Sequence, residues 1–431
     1  MAWADDVIWW QVYPLGFTGA HPGGAIGRTL RYLEPWLDYA IELGCSGLAL
    51  GPVFESESHG YDTIDHFRID PRLGAQEDFD SLVTAAHDRG MRVLLDGVFN
   101  HVGRGHAQFQ AALEAGPESE AARWFRLQRR EPEPVYEAFE GHEDLINLNH
   151  SEPSVADYVS RVMEYWLDRG ADGWRLDAAY AVPVQFWQTV TGRVRDRRPE
   201  AWFLAEVLHG DYAEFAAESG VDSVTQYELW KATWSSLNDV NFFELAWAIE
   251  RHDGFAEQFL PLTFVGNHDV TRLASVLNDP RHIGHALAIL FTIAGIPSVY
   301  YGDEQAFQGV KEERFGGDDA VRPEFPASAE DLAPFGWPTY RLHQELIALR
   351  RRHRWLTCCS TTQLHLTNAA FAYRSTARDG DGSLTVLLNL SDDPVRFPVD
   401  LGGTRTEAES GRADDPALVD GHGWRILVEA P

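Results

Sequence analysis

Three carboxylates stand directly after short apolar runs, in Arg175-Leu176-Asp177, Ala205-Glu206-Val207 and Asn267-His268-Asp269. A fourth acid opens Asp96-Gly97-Val98-Phe99-Asn100-His101. One acid at a strand end commonly caps the following helix. Three in register are harder to explain as caps, because gathering carboxylates in one mouth is costly unless they are paired or functional. Crowding pushes their pKa values apart. That division suits retaining glycoside hydrolysis, in which one ionised carboxylate attacks an anomeric carbon and another gives, then takes, a proton. Arg175 lies two residues before Asp177, so on a strand both side chains share a face. It is expected to hold Asp177 ionised and oriented. Glu206 has no basic residue in the stretch 200–205 and is expected to be the protonated partner.

Aromatic residues fall on the same rim. Tyr13 closes the first strand, and Tyr61 sits in the polar loop His59-Gly60-Tyr61-Asp62. A sugar offers its C–H face to an aromatic ring while its hydroxyls seek polar groups. Core packing is the plainer reading for most aromatics. Tyr61 escapes it best, because its loop is polar and glycine-containing.

Short β-rich runs alternate with amphipathic stretches over about 350 residues. The runs read as strands are Val7–Tyr13, Gly47–Leu50, Arg92–Phe99, Gly173–Asp177, Trp202–Ala205, Ser223–Tyr227, Leu262–Gly266 and Ser298–Tyr301. A helical stretch follows each one. Eight such pairs predict an α/β fold, a closed (β/α)8 TIM barrel, over residues 1–100 and 153–352. Residues 101–152 are too long for an ordinary connection and read as an inserted subdomain on the catalytic rim. After Arg352, short strands between Asp, Gly and Pro turns predict an all-β sandwich domain over 353–431.

Composition narrows the functions. The chain has 431 residues, 44% hydrophobic, with a net charge of −30. Such an acidic surface repels phosphate backbones and anionic lipid, so neither nucleic acid nor membrane is expected as a partner. Lys231 and Lys311 are the only lysines, and neither lies in a Walker loop. Cys45, Cys358 and Cys359 form no disulfide or zinc pattern, and Met1–Asp6 carries no basic leader. A cytoplasmic protein acting on a small neutral molecule is the expectation.

The motifs resemble, in order and spacing, those of the α-amylase family, glycoside hydrolase family thirteen. Asp96–His101 (DGVFNH), Gly173–Ala178 (GWRLDA), Ala205–Val207 (AEV) and Phe264–Asp269 (FVGNHD) are similar to its four signatures. His59–Asp62 (HGYD) is similar to its substrate loop, and Gly295–Glu304 (GIPSVYYGDE) to its last barrel strand. The resemblance implies Asp177 as nucleophile, Glu206 as general acid/base and Asp269 as the acid that grips sugar hydroxyls. It implies Tyr61 beneath the reacting sugar with Asp62 beside it. Arg175, His101 and His268 would be further contacts, and Arg272 an additional one.

Relatives that bind calcium use the asparagine matching Asn100 together with subdomain acids and a residue shortly after the nucleophile, and that stretch here is Ala178-Ala179-Tyr180-Ala181, with no lysine–histidine pair. No metal or cofactor is therefore expected, with calcium left open. Leu145–Asn149 (LINLN) resembles a segment of the cyclomaltodextrinase and neopullulanase group. That group's extra N-terminal domain is expected to be missing, since the first barrel strand begins almost at once, and this variant resembles cyclic maltosyl-maltose hydrolases. The implied activity is hydrolysis of α-1,4 or α-1,6 bonds in short or cyclic malto-oligosaccharides. Transglycosylation or isomerisation through the same intermediate is the alternative, and a non-catalytic sugar-binding relative is a remoter one. A homodimer is left open.

Overall fold

The computed structural model describes residues 3–20, 28–128, 135–314, 316–411 and 414–429. Eight parallel strands form the barrel: β1 Trp9–Val12, β2 Gly47–Leu50, β3 Arg92–Gly97, β4 Gly173–Leu176, β5 Trp202–Ala205, β6 Ser223–Val224, β7 Leu262–Phe264 and β8 Ile296–Tyr300. They pair in the order β6-β5-β4-β3-β2-β1-β8-β7. A single parallel bridge, Thr225 to Leu262, closes the ring, helped by the Gln226 N–H donating to Leu262 O at 2.9 Å.

Strand alternation sets the chemistry. Trp174 and Leu176 of β4 and Phe203 and Ala205 of β5 join the core beneath the helices. Trp9, Leu94, Trp202, Leu204, Leu262, Phe264 and Ile296 form the inner plug of the barrel, where Trp9 and Trp202 stack at 5.7 Å. Gly47 makes room for Trp9: a Cβ there would come within 2.4 Å of its ring. Asp96, Arg175 and Glu206 follow Leu94, Gly173 and Leu204 by two residues, so they lie one layer above the apolar plug, at the carboxyl mouth.

The sixth strand is shorter than the sequence suggests. Tyr227 does not extend it but begins the helix Tyr227–Asp239. The Gln226 side chain caps that helix by accepting from the Leu229 N–H. A helix from Phe242 to Ala256 follows it.

Within 101–152, His101–Gly103 and Leu145–Asn147 pair antiparallel and anchor the insertion to the rim. Beyond the barrel's last helix, Trp337–Arg352, come β9 Cys359–Leu366, β10 Ala370–Ala377, β11 Ser383–Asn389, β12 Thr404–Glu409 and β13 Trp424–Glu429. They form one antiparallel sheet, β9-β10-β11-β13-β12. One face of this sheet sends Phe371, Tyr373, Val386 and Ile426 into the barrel's core. The other packs Ala372, Leu387 and Leu427 with Phe397 and Val419, beside the small ladder Val395–Arg396 and Leu418–Val419. Among the described residues no helix is long and apolar enough to cross a membrane.

Candidate active site

Arg175 is the hub of the mouth. Its Nη1 lies 2.7 Å from Asp96 Oδ2 and 3.3 Å from Asp177 Oδ1, and its Nη2 lies 2.6 Å from Glu206 Oε1 and 3.7 Å from Asp269 Oδ2. Four strands thus deliver four carboxylates to one buried guanidinium. The three acids singled out from the sequence do meet, and Asp96 is the support beneath them, only 1% exposed.

Glu206 is not remote from positive charge, as its sequence neighbourhood suggests, because the arginine arrives from the adjacent strand. Its Oε2 also accepts from the Ala178 N–H at 2.9 Å. Ala178 is held at φ +44°, in the left-handed region. The Tyr227 hydroxyl donates to Glu206 Oε1 at 3.1 Å, and Asn267 Nδ2 donates to that hydroxyl at 2.8 Å.

Asp177 is buried beside Arg175. Burial raises its carboxyl well above the usual range, the negative Glu206 raises it further, and Arg175 offsets only part of this. Burial would also raise Asp269, but His268, Arg322 and Arg175 together hold it below the usual carboxylate range.

One wall of the mouth is aromatic. Tyr13 and His268 stack at 6.1 Å, and His268 and Tyr61 at 5.6 Å with rings nearly parallel. Gln11 Nε2 lies 3.1 Å from His268 Nδ1, which leaves Nε2, 3.0 Å from Asp269 Oδ2, to carry the proton. The Tyr61 hydroxyl donates to Asp96 Oδ2 at 3.0 Å and also touches His268 Nε2.

Two expected sugar contacts also brace the loop. Asp62 accepts from Ser58 Oγ at 2.5 Å and from the His59 N–H at 3.2 Å. His101 stacks on Phe139 of the insertion at 4.9 Å, and its Nε2 donates to Tyr61 O at 3.0 Å. Burial pushes His101 down to about 4, so it is neutral near pH 7.

Arg272 is a correction. It is fully buried, with Nη1 on Asp303 Oδ1 at 2.8 Å and on Tyr301 O at 2.9 Å, and Nη2 on Val321 O at 2.9 Å. Its guanidinium also lies over Tyr300, 4.5 Å from the ring centre. No sugar in the mouth can reach it. The arginine beside Asp269 is Arg322, which sequence reasoning missed. Arg322 Nη2 lies 2.9 Å from Asp269 Oδ1, Nε donates to His268 O at 2.9 Å, and the guanidinium lies 4.6 Å over Tyr13. Tyr227 was missed as well. The signal for Arg322 was faint: an arginine before a proline in the irregular, glycine-rich stretch after β8.

A calcium cage needs six to eight oxygens. Here Asn100 turns its amide towards His101 Nδ1, and the Tyr180 hydroxyl is taken by Glu140. The alanines of Ala178–Ala181 offer no side-chain oxygen, so these residues do not fit the ion.

Residues 11–399 match the α-amylase catalytic-domain model. The chain is 30% identical over 428 residues to a cyclomaltodextrinase of Geobacillus thermopakistaniensis, covering 93% of this chain and 71% of that one. Among solved structures it is similar to the ligand-free cyclic α-maltosyl-(1→6)-maltose hydrolase of Arthrobacter globiformis. That match has a TM-score of 0.84 and 26% identity, and covers 100% of this chain and 99% of that one. It is also similar to a debranching enzyme of Nostoc punctiforme, with a TM-score of 0.85, 26% identity and coverage of 99% and 98%.

Proposed function

Because the chain belongs to the α-amylase family, we propose that it is a retaining hydrolase of α-1,4 and α-1,6 glucosidic bonds in short or cyclic malto-oligosaccharides. The observation that carries this reading is the joining of Asp177, Glu206 and Asp269 by Arg175 at one mouth beside the His268–Tyr61 wall. Asp177 Oδ attacks the anomeric carbon as the bond to the leaving oxygen breaks, and Glu206 gives that oxygen its proton. Water then attacks the glycosyl-Asp177 ester, Glu206 takes a proton from it, and a sugar of retained α configuration leaves. Asp269, fixed by His268 and Arg322, accepts hydroxyls of the distorted ring, and Tyr61 supplies the apolar floor.

Catalysis needs Asp177 ionised and Glu206 protonated once the sugar is bound. The barrel (1–100 and 153–352), the insertion (101–152) and the C-terminal β domain (353–431) are taken as separate units in this reading. The three free cysteines support a reducing, cytoplasmic setting.

The test is a product time course on maltotetraose, panose, cyclodextrins and cyclic maltosyl-maltose, with the anomer followed by NMR. Glucose or maltose released first as the α anomer is the expected result. Longer or rearranged sugars as main products would replace hydrolysis by transfer, and a β anomer first would remove retention.

A further inference from the structure

Away from the mouth, three ligand-type side chains converge where the barrel meets the C-terminal sheets. Asp279 and His282 lie on the turn that opens the helix Ile283–Thr292. His422 lies on the tight turn that leads into β13. His282 Nε2 stands 3.0 Å from His422 Nδ1, and Asp279 Oδ2 stands 3.9 Å from the same nitrogen. All three ligand atoms lie within 4.8 Å of one another. A tetrahedral cation with bonds near 2.0–2.1 Å spaces its ligand atoms about 3.3 Å apart, between the two distances measured here.

The surroundings are those of a ligand set rather than of a chance cluster. His422 Nε2 donates to Asp392 Oδ1 at 2.8 Å, which fixes the tautomer and turns the Nδ1 lone pair towards His282. A carboxylate holding the far nitrogen in this way is the usual outer shell of a metal-bound histidine. His422 adopts φ +53°, a left-handed conformation uncommon for residues with a side chain. Its turn is pinned by His285, whose Nε2 reaches Asn389 O at 3.1 Å and Gly423 O at 2.9 Å. His282 Nδ1 is buried without a hydrogen-bond partner, and Nε2 is the nitrogen that faces His422. Arg281 donates to Asp279 Oδ2 through Nε at 3.0 Å and through Nη2 at 2.5 Å, so the ion would share that oxygen with the guanidinium. Its charge offsets one of the two carboxylates.

We propose that Asp279, His282 and His422 form a three-ligand site for a borderline-soft divalent cation, zinc by its donor set, with water as the fourth ligand. The ion would staple the start of the helix Ile283–Thr292 to the C-terminal sheets. The side chains of His422 and Asp279 are 12% and 24% exposed, which leaves an entry path from solvent. Two imidazoles and one carboxylate suit zinc better than calcium or magnesium, which take oxygen ligands.

The experiment uses the full chain, stripped by chelator and equilibrated with zinc chloride. Bound metal is counted after gel filtration, and melting is followed with and without zinc. One zinc per chain and a higher Tm with zinc are expected, both lost in His422→Asn, since asparagine tolerates the left-handed backbone. Cobalt(II) added to the stripped wild-type chain should give intense tetrahedral d–d absorption even if a variant folds poorly. No zinc retained by the wild-type chain would overturn the proposal and leave a plain histidine–histidine hydrogen bond. Full zinc retention by a folded His422→Asn would overturn it equally.

Discussion

Arg322→Met tests whether the arginine that the mouth recruits from outside the family signatures fixes Asp269. The substitution keeps the apolar stem beside Tyr13 and removes the guanidinium. It deletes the 2.9 Å bond to Asp269 Oδ1 and the 2.9 Å bond to His268 O. A hydrogen bond to a charged group is worth about 1.5–3 kcal/mol. Each 1.4 kcal/mol is about tenfold, so loss of the Asp269 bond should lower kcat/KM roughly 10- to 150-fold. Asp269 keeps His268 and Arg175 as neighbours, so the carboxylate is not left stranded and the chain should still fold. The assay is kcat/KM on an aryl α-maltoside and on a cyclodextrin, with thermal melting as the control. An Asp269→Asn background completes a double-mutant cycle: once Asp269 has lost its charge, Arg322→Met should cost little more. A kcat/KM within threefold of wild type, or equal losses in both backgrounds, would show that Asp269 does not depend on Arg322.

Asp177→Ala should abolish turnover, whereas Glu206→Gln should be most damaging for sugars with poor leaving groups and mildest for glycosyl fluorides; near-normal rates on maltotetraose from either variant would remove its assigned role. Burial and Glu206 raise Asp177, and attack needs it ionised, so activity should fail on acidification at a pH above the usual carboxylate range. Replacing Glu206 by neutral Gln removes one raising cause, so with a glycosyl fluoride the acid limb of kcat/KM should move to lower pH; an unmoved limb would contradict the coupling. Tyr227→Phe removes the hydroxyl donor to Glu206 and should lower kcat with KM little changed, again by roughly 10- to 150-fold at most; a change confined to KM would point to substrate binding instead.

Much of the frame could be read from residue pattern alone. The strands Gly47–Leu50 and Trp202–Ala205 have the expected bounds, because each is a short apolar run between clear breaks. The acids were legible for the same reason: each ends an apolar run, and barrel geometry brings run ends together. The sixth strand, read as Ser223–Tyr227, misled because Tyr227 is a β-favouring aromatic, while the Gln226 cap that starts a helix there is a local side-chain bond without a strong sequence signal. Glu206 seemed free of positive charge because its arginine lies on the neighbouring strand, and pairing across a sheet does not show in sequence distance. Arg322 was illegible for a similar reason. It reaches Asp269 from 53 positions away, on a stretch with neither helical nor strand periodicity.

The misplaced Arg272 and the missed Arg322 belong to one arrangement. Arg272 lies three residues after Asp269, which made it look like a substrate contact, but it begins a short helix and turns inwards. There its Nη2 donates to Val321 O, and the Tyr300 hydroxyl donates to the same carbonyl. Val321 immediately precedes Arg322, so the buried arginine fixes the segment that delivers the mouth arginine to Asp269. Asp303, pushed up to about 6 by burial even with Arg272 against it, holds the other side of Arg272. Arg272 therefore acts on the sugar site only as a positioning residue, through backbone carbonyls. Arg272→Met would leave Asp303 buried without its arginine, and breaking a buried pair costs about 3–5 kcal/mol of stability. In the molecules that remain folded, it should lower kcat/KM in the same direction as Arg322→Met, and the two losses should not add. Additive losses would mean that Arg272 reaches the sugar by some route other than the Val321 carbonyl.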